Sequence, residues 1–474
     1  MQDAGALRKR RKRNLTKVDG LGIKQYTRDN DQFNIHNLFE TYSENDDTFM
    51  IKISNYSGGV RRTQDIESSA GDIASVLELR NETAPERPVL LSSSVLFRLK
   101  CILRLGICTF CFPWTWNEKT NQIEKWGQRP QQVWKIVYIF FLVITCGITV
   151  FQFYSFFERV QVDEDGGYRP VFQNSFAILK CLFTLSLNSC LIFHREQIRI
   201  YINTLLNSNR VLVEKYVVNL TEYKERGGAL LNISVWTNMI QVGIYVCNFL
   251  ATPNAPWYLY SYIYTEDNPW YWLLPGAFQE FVMGGQLIAI FLLIGWINVA
   301  HCISVEFWLQ EAHKNYDSTW TTEELRDSVK SMETYRSLQL LNIIFNHSMA
   351  PLGIPVAKFV NWTAIVPCFY VLLRSMNSKF MDEFPGVLTY PLSVIDCVTH
   401  AYGMLQISSE MQGMSESYLT SWSATGNFDL RRVLVSCPTL KIGVAGFYKI
   451  SVSTTVTFFR SIIEYTVNCI VTFK

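Results

Sequence analysis

Residues 279–303 read QEFVMGGQLIAIFLLIGWINVAHCI, a run that is apolar along most of its length. As a helix rising about 1.5 Å per residue it reaches ~37 Å, more than the ~30 Å hydrocarbon core of a bilayer. Six other stretches have comparable reach: Val133–Tyr154, Asn174–Phe193, Ala229–Ala251, Ala350–Arg374, Phe384–Ser408 and Phe447–Phe473. The last two carry polar residues and proline, so six or eight spans stand as alternatives to seven. The expected fold class is all-α, a polytopic membrane protein with seven transmembrane helices.

The charge in the connections gives the orientation. Counting outward from residues 279–303, the fourth connection holds Lys314, Arg326, Lys330 and Arg336. The second holds Arg195, Arg199, Arg210, Lys215, Lys224 and Arg226, and the sixth holds Arg431, Arg432 and Lys441. The first, third and fifth carry only Arg159, Arg169 and Lys379 between them. Basic residues stay on the cytoplasmic side during insertion. The N-terminus is therefore expected inside and the C-terminus outside, the reverse of a G-protein-coupled receptor. Sequons at Asn14, Asn55, Asn81, Asn219, Asn232, Asn346 and Asn361 all avoid the outer connections, so they read as chance matches. All twelve cysteines fall in spans or on the inner side, which argues against disulfides. Cys101, Cys108 and Cys111 suit an apolar role, with palmitoylation as the alternative.

The chain has 474 residues, 49% of them hydrophobic, and a net charge of +2 that reflects topology rather than a partner. Residues 1–93 differ from the rest. They open on Arg8-Lys9-Arg10-Arg11-Lys12-Arg13 and continue polar without a period, as a disordered cytoplasmic tail would. No apolar core follows that run, so no cleavable signal peptide is expected. Residues 94–474 form the seven-helix domain. It begins with Ser94–Trp116, an apolar stretch with Arg98, Lys100 and Arg104 that suits an amphipathic helix at the inner interface.

No Walker loop, Gly-x-Ser-x-Gly or His-Glu-x-x-His occurs, so an enzyme is not expected. The histidines at 36, 194, 301, 313, 347 and 400 have no ligand spacing, and neither metal nor cofactor is expected. In the seventh span Thr457, Ser461, Glu464, Asn468 and Thr472 recur at steps of three and four, one stripe of a helix. Either it is a buried seam in which Arg460 pairs with Glu464, or it faces a water-filled pore. In the sixth span Ser393, Asp396, Thr399, His400 and Gly403 share a face, and Asp396 and His400 can pair or couple to gating. The third connection holds Trp257, Tyr258, Tyr260, Tyr262, Tyr264, Trp270, Tyr271 and Trp272, read as an aromatic belt or as a cap over the helices. Beneath such a cap, Phe176, Lys180, Tyr245, Phe249, Phe281, Gln286 and Tyr390 are the candidate walls of a pocket for a small organic ligand.

Residues 95–474 resemble the insect odorant and gustatory receptor superfamily, and in particular its gustatory type, including relatives found in nematodes. Those proteins close span seven with Thr-Tyr-x5-Gln-Phe. Here Thr457-Phe458 followed after five residues by Glu464-Tyr465 matches with conservative swaps. Glu464-Tyr465 followed by Thr472-Phe473 lies nearer the chain end but needs one extra residue. Gly446-Phe447-Tyr448-Lys449-Ile450 resembles the turn before that span. Leu105-Gly106-Ile107, with Phe110 and Pro113 after it, resembles the short pre-membrane helix. The resemblance implies a ligand-gated, non-selective cation channel built as a homo- or heterotetramer in the plasma membrane of sensory neurons. Thr457, Ser461, Glu464, Asn468, Val471 and Thr472 would line its pore. Light sensing by the same fold, a G-protein-coupled receptor and a transporter are the rivals. A nucleic-acid partner is not expected.

Overall fold

The computed structural model describes residues 90–160, 168–219, 227–255, 257–262, 270–375, 386–424 and 428–472. The tail expected to be disordered lies outside them up to residue 89, as do Lys224, Arg226, Tyr264 and Lys379. In chain order the elements are α1 (Ser93–Cys108), β1 (Trp114–Asn117), β2 (Gln122–Lys125), α2 (Gln128–Val160), α3 (Tyr168–Tyr216) and α4 (Gly228–Ala251). There follow α5 (Leu273–Glu311), α6 (Ser328–Met349), α7 (Gly353–Ser375), α8 (Thr389–Ser423) and α9 (Phe428–Ser436). The chain closes with β3 (Gly443–Val444), β4 (Tyr448–Lys449) and α10 (Val452–Thr472).

Five of these, α2, α3, α4, α5 and α7, are long and apolar enough to cross a bilayer on length and composition alone. The weaker sixth and seventh spans fall to α8 and α10. Both begin later than expected, because Gly386–Leu388 is a 3-10 turn and Tyr448–Lys449 is a strand. The apolar stretch of α5 is buried throughout, with α1, α3, α4, α8, α6 and α7 all packed against it. That is the physical meaning of a helix apolar on every side: it is the core of the bundle.

The longest helices outrun the membrane. α3 has 49 residues, about 74 Å of helix, and its basic second half continues past the inner face. The inner ends of α3, α5 and α8 pack with α6 and α9 into a bundle tied by buried polar contacts. Trp422 Nε1 donates to the Ala312 carbonyl at 3.0 Å, and Trp308 Nε1 to Asn209 Oδ1 at 3.0 Å. The Tyr335 and Tyr418 rings stack with centroids 4.8 Å apart.

α1 is amphipathic as expected, but it ends at Cys108 rather than continuing to Trp116. Ser92 Oγ caps its start by accepting the Val95 N–H at 3.3 Å. Phe110 then takes a positive φ of 57°, which turns the chain back. The Phe112 ring lands where a Cβ on Gly106 would sit, 2.0 Å away, so only glycine fits there. Trp114–Asn117 pairs antiparallel with Gln122–Lys125 instead of extending the helix. Asn203 of α3 clamps that hairpin through the Ile123 N–H and carbonyl, both at 2.9 Å.

The aromatic third connection divides in two. Tyr258 and Tyr260 meet Phe249 edge-on at 5.0 and 5.8 Å, and Tyr262 meets Phe151 at 4.8 Å. Trp270, Tyr271 and Trp272 are exposed. Among the described residues the first half is thus anchored on the bundle, and the side chains of the second half stand exposed.

Candidate functional site

In the outer half of the bundle α3, α4, α5, α7 and α8 enclose a cavity of about 50 Å³. Phe176 and Lys180 come from α3, Asn238, Gln241 and Tyr245 from α4, Phe291 from α5, and Ser393 and Asp396 from α8. Its polar groups are satisfied across helices. Gln241 Nε2 donates to Tyr245 Oη and to Ser393 Oγ, each at 2.7 Å. Asp396 accepts from Ser234 Oγ at 2.8 Å and from Asn238 Nδ2. Lys180 Nζ lies 5.0 Å from the centre of the Tyr245 ring and pairs with Glu280 behind it. The wall therefore carries one lysine and one aspartate amid aromatic surface, and among the described residues the two are not paired with each other.

Of the walls expected from sequence, Phe176, Lys180 and Tyr245 meet at this cavity, and Tyr390 packs edge-on to Phe176 at 5.8 Å. Phe249, Phe281 and Gln286 do not line it. Phe249 fills the space over Gly276. Phe281 packs at the edge of the core, and Gln286 donates to the Thr109 carbonyl at 3.0 Å. Asn238 and Gln241 were missed, although Ser234, Asn238, Gln241 and Tyr245 recur at steps of four, three and four, the same signal that marked the seventh span.

The expected Asp396–His400 pair does not form. The two share a face of α8 but meet different neighbours. Asp396 turns to α4, while His400 Nδ1 lies 2.9 Å from Asn361 Nδ2 of α7 and its ring stacks on Phe291 at 3.9 Å. Gly295 of α5 leaves room for that ring.

α10 has three faces. Thr455, Phe458, Ile462 and Thr466 are buried against α7 and α8. Val456, Ile463, Val467 and Ile470 form an exposed apolar strip. Thr457, Glu464, Asn468, Val471 and Thr472 face away from the chain, with Ser461 at the edge accepting from Trp362 Nε1 at 3.1 Å. Arg460 and Glu464 are joined at 2.7 Å, yet their side chains are 76% and 54% exposed, so the pair is not a seam within this chain.

No protein-family model and no curated protein matches the sequence. Solved structures do match. The insect olfactory receptor OR5 of Machilis hrabei, in complex with eugenol, aligns with a TM-score of 0.52 at 10% identity, over 80% of this chain and 99% of that one. This chain has the insect olfactory receptor fold. A second structure of the same receptor aligns at 10% identity with a TM-score of 0.48, over 79% and 98% of the two chains. The fold is a seven-helix one, and α8 and α10 take its sixth and seventh places. The olfactory receptor fold agrees with the resemblance carried by the span-seven and pre-membrane residues.

Proposed function

We propose that the chain is a chemoreceptor subunit of gustatory type, a ligand-gated cation channel in which four copies surround a pore lined by α10. The observation that carries this reading is the outward stripe of α10. Threonine, asparagine and glutamate in contact with hydrocarbon cost several kcal/mol, so the stripe requires water or another protein surface. A central aqueous pore supplies water, and the apolar strip beside it suits lipid or a neighbouring subunit. Small organic ligands enter the cavity bounded by Phe176, Lys180, Tyr245 and Asp396. Ligand pockets span about 300–1,000 Å³. In this reading the cavity of about 50 Å³ opens when a ligand binds. Movement of α8 then passes to α10, which packs directly on it. The plasma membrane of a sensory cell is the expected site of action.

Cysteine substitution tests the pore. In cells expressing only this chain, Cys at positions 461, 468 and 472 reacts with water-soluble thiol reagents faster during evoked current, and Cys at 462, 463 and 470 does not. Equal reaction of the two sets, or an absence of current under both chemical and light stimuli, overturns the reading.

A further inference from the structure

A second, larger cleft lies between α7 and α10, at their inner ends, with a volume of about 620 Å³. Lys358, Phe359 and Trp362 of α7, Tyr448 of β4, and Thr457 and Phe458 of α10 line it. Lys358 is its charged group. Its Nζ lies 2.5 Å from Tyr448 Oη, 4.7 Å from the centre of the Tyr448 ring and 5.8 Å from that of Phe458. Among the described residues no carboxylate forms an ion pair with it. The aromatic rings hold the ammonium in place without neutralising it.

Depth decides what kind of anion can arrive. Lys358 stands five residues into α7 from its inner end, about 8 Å. From so near the inner end of a span, a lysine side chain can extend toward headgroups. Phe359 at the rim is 55% exposed and Phe447, beside Tyr448, is 87% exposed. Both are large apolar groups placed to meet acyl chains rather than water. The inner leaflet is also the one that carries anionic lipid.

We propose that this cleft binds one anionic glycerophospholipid of the inner leaflet, its phosphate on Lys358 and its acyl chains along Phe359, Trp362 and Phe458. The hydroxyl of Tyr448 completes the headgroup site. The site lies apart from the ligand cavity in the outer half, and it does not depend on the channel reading.

The test reads binding, not current. The full chain is placed in phosphatidylcholine nanodiscs with a trace of photoreactive lipid carrying a diazirine in its acyl chain. The probe has either a phosphatidylserine or a phosphatidylcholine headgroup, and labelled peptides are mapped by mass spectrometry. Peptides holding Phe359–Trp362 and Phe458 are expected to take up the serine probe about fivefold more than the choline probe, the preference one lysine gives at an anionic surface. Lys358→Met abolishes the preference and Lys358→Arg keeps it. Millimolar inorganic phosphate leaves labelling unchanged. Equal labelling by both probes in the native chain overturns the proposal and needs no variant. Competition by inorganic phosphate assigns the site to a free anion instead, and absence of both labels from these peptides overturns the proposal as well.

Discussion

Lys180 Nζ lies 2.5 Å from Glu280 Oε2, an ion pair between α3 and α5 with side chains only 9% and 6% exposed. Burying two charges consumes much of what their attraction returns, so the pair adds little net stability while intact. Breaking it is another matter, because the remaining charge has no water. Lys180→Met or Glu280→Gln alone should destabilise the protein by about 3–5 kcal/mol. The double change Lys180→Met with Glu280→Met should recover most of that. Thermal unfolding of the detergent-solubilised chain checks this, and a double variant no more stable than either single one defeats it.

Gly295 is the next site to probe. A Cβ there would lie 2.5 Å from His400 Nε2. The His400 ring cannot retreat easily, since Asn361 bonds one edge and Phe291 stacks on its face. Gly295→Ala should cost about 1–3 kcal/mol, the usual range for overpacking a core. Adding His400→Ala should restore stability, measured in the same melts. A Gly295→Ala protein as stable as the native chain would show that this contact is slack.

At Glu464, Gln keeps the shape and the hydrogen-bond acceptor toward Arg460 but removes the charge. In a pore lined by four copies, a ring of carboxylates attracts cations. Glu464→Gln should lower divalent permeability relative to sodium several-fold, read from reversal potentials. Unchanged ratios would mean that Arg460 neutralises Glu464 within each copy, in keeping with their 2.7 Å contact.

One acid-sensitive contact lies outside the membrane. Glu118 in the hairpin accepts a hydrogen bond from Lys100 of α1, which holds its carboxyl below the ordinary carboxylate pKa. A carboxylate whose pKa is lower folded than unfolded stabilises the protein above the ordinary value of about 4.3. That contribution fades as pH falls through the lower folded value. A small difference in melting temperature between the native chain and Glu118→Gln should exist at pH 7 and vanish in stronger acid. Persistence of the difference in acid would trace it to packing rather than to charge.

Reach and basic-residue bias made most of the architecture legible, because a bilayer restricts both so severely. The same patterns located Lys180 and Tyr245 on adjoining helices. They could not set the azimuth of one helix against another. Asp396 and His400 share a face in any helical projection, and only the neighbours decide that one meets Asn238 and the other Asn361. The end of α1 escaped for a local reason: a positive φ at phenylalanine leaves no signature in composition. Asn238 and Gln241 carried a readable spacing that the strongly apolar context of α4 masked.

The burial of the apolar stretch of α5 bears on how such a sequence can change. Along that stretch the helix is enclosed by its own chain, so its side chains answer only to packing within the molecule. Sequence drift is then free at outward surfaces such as that of α10, while the central helix stays under a constraint set from within.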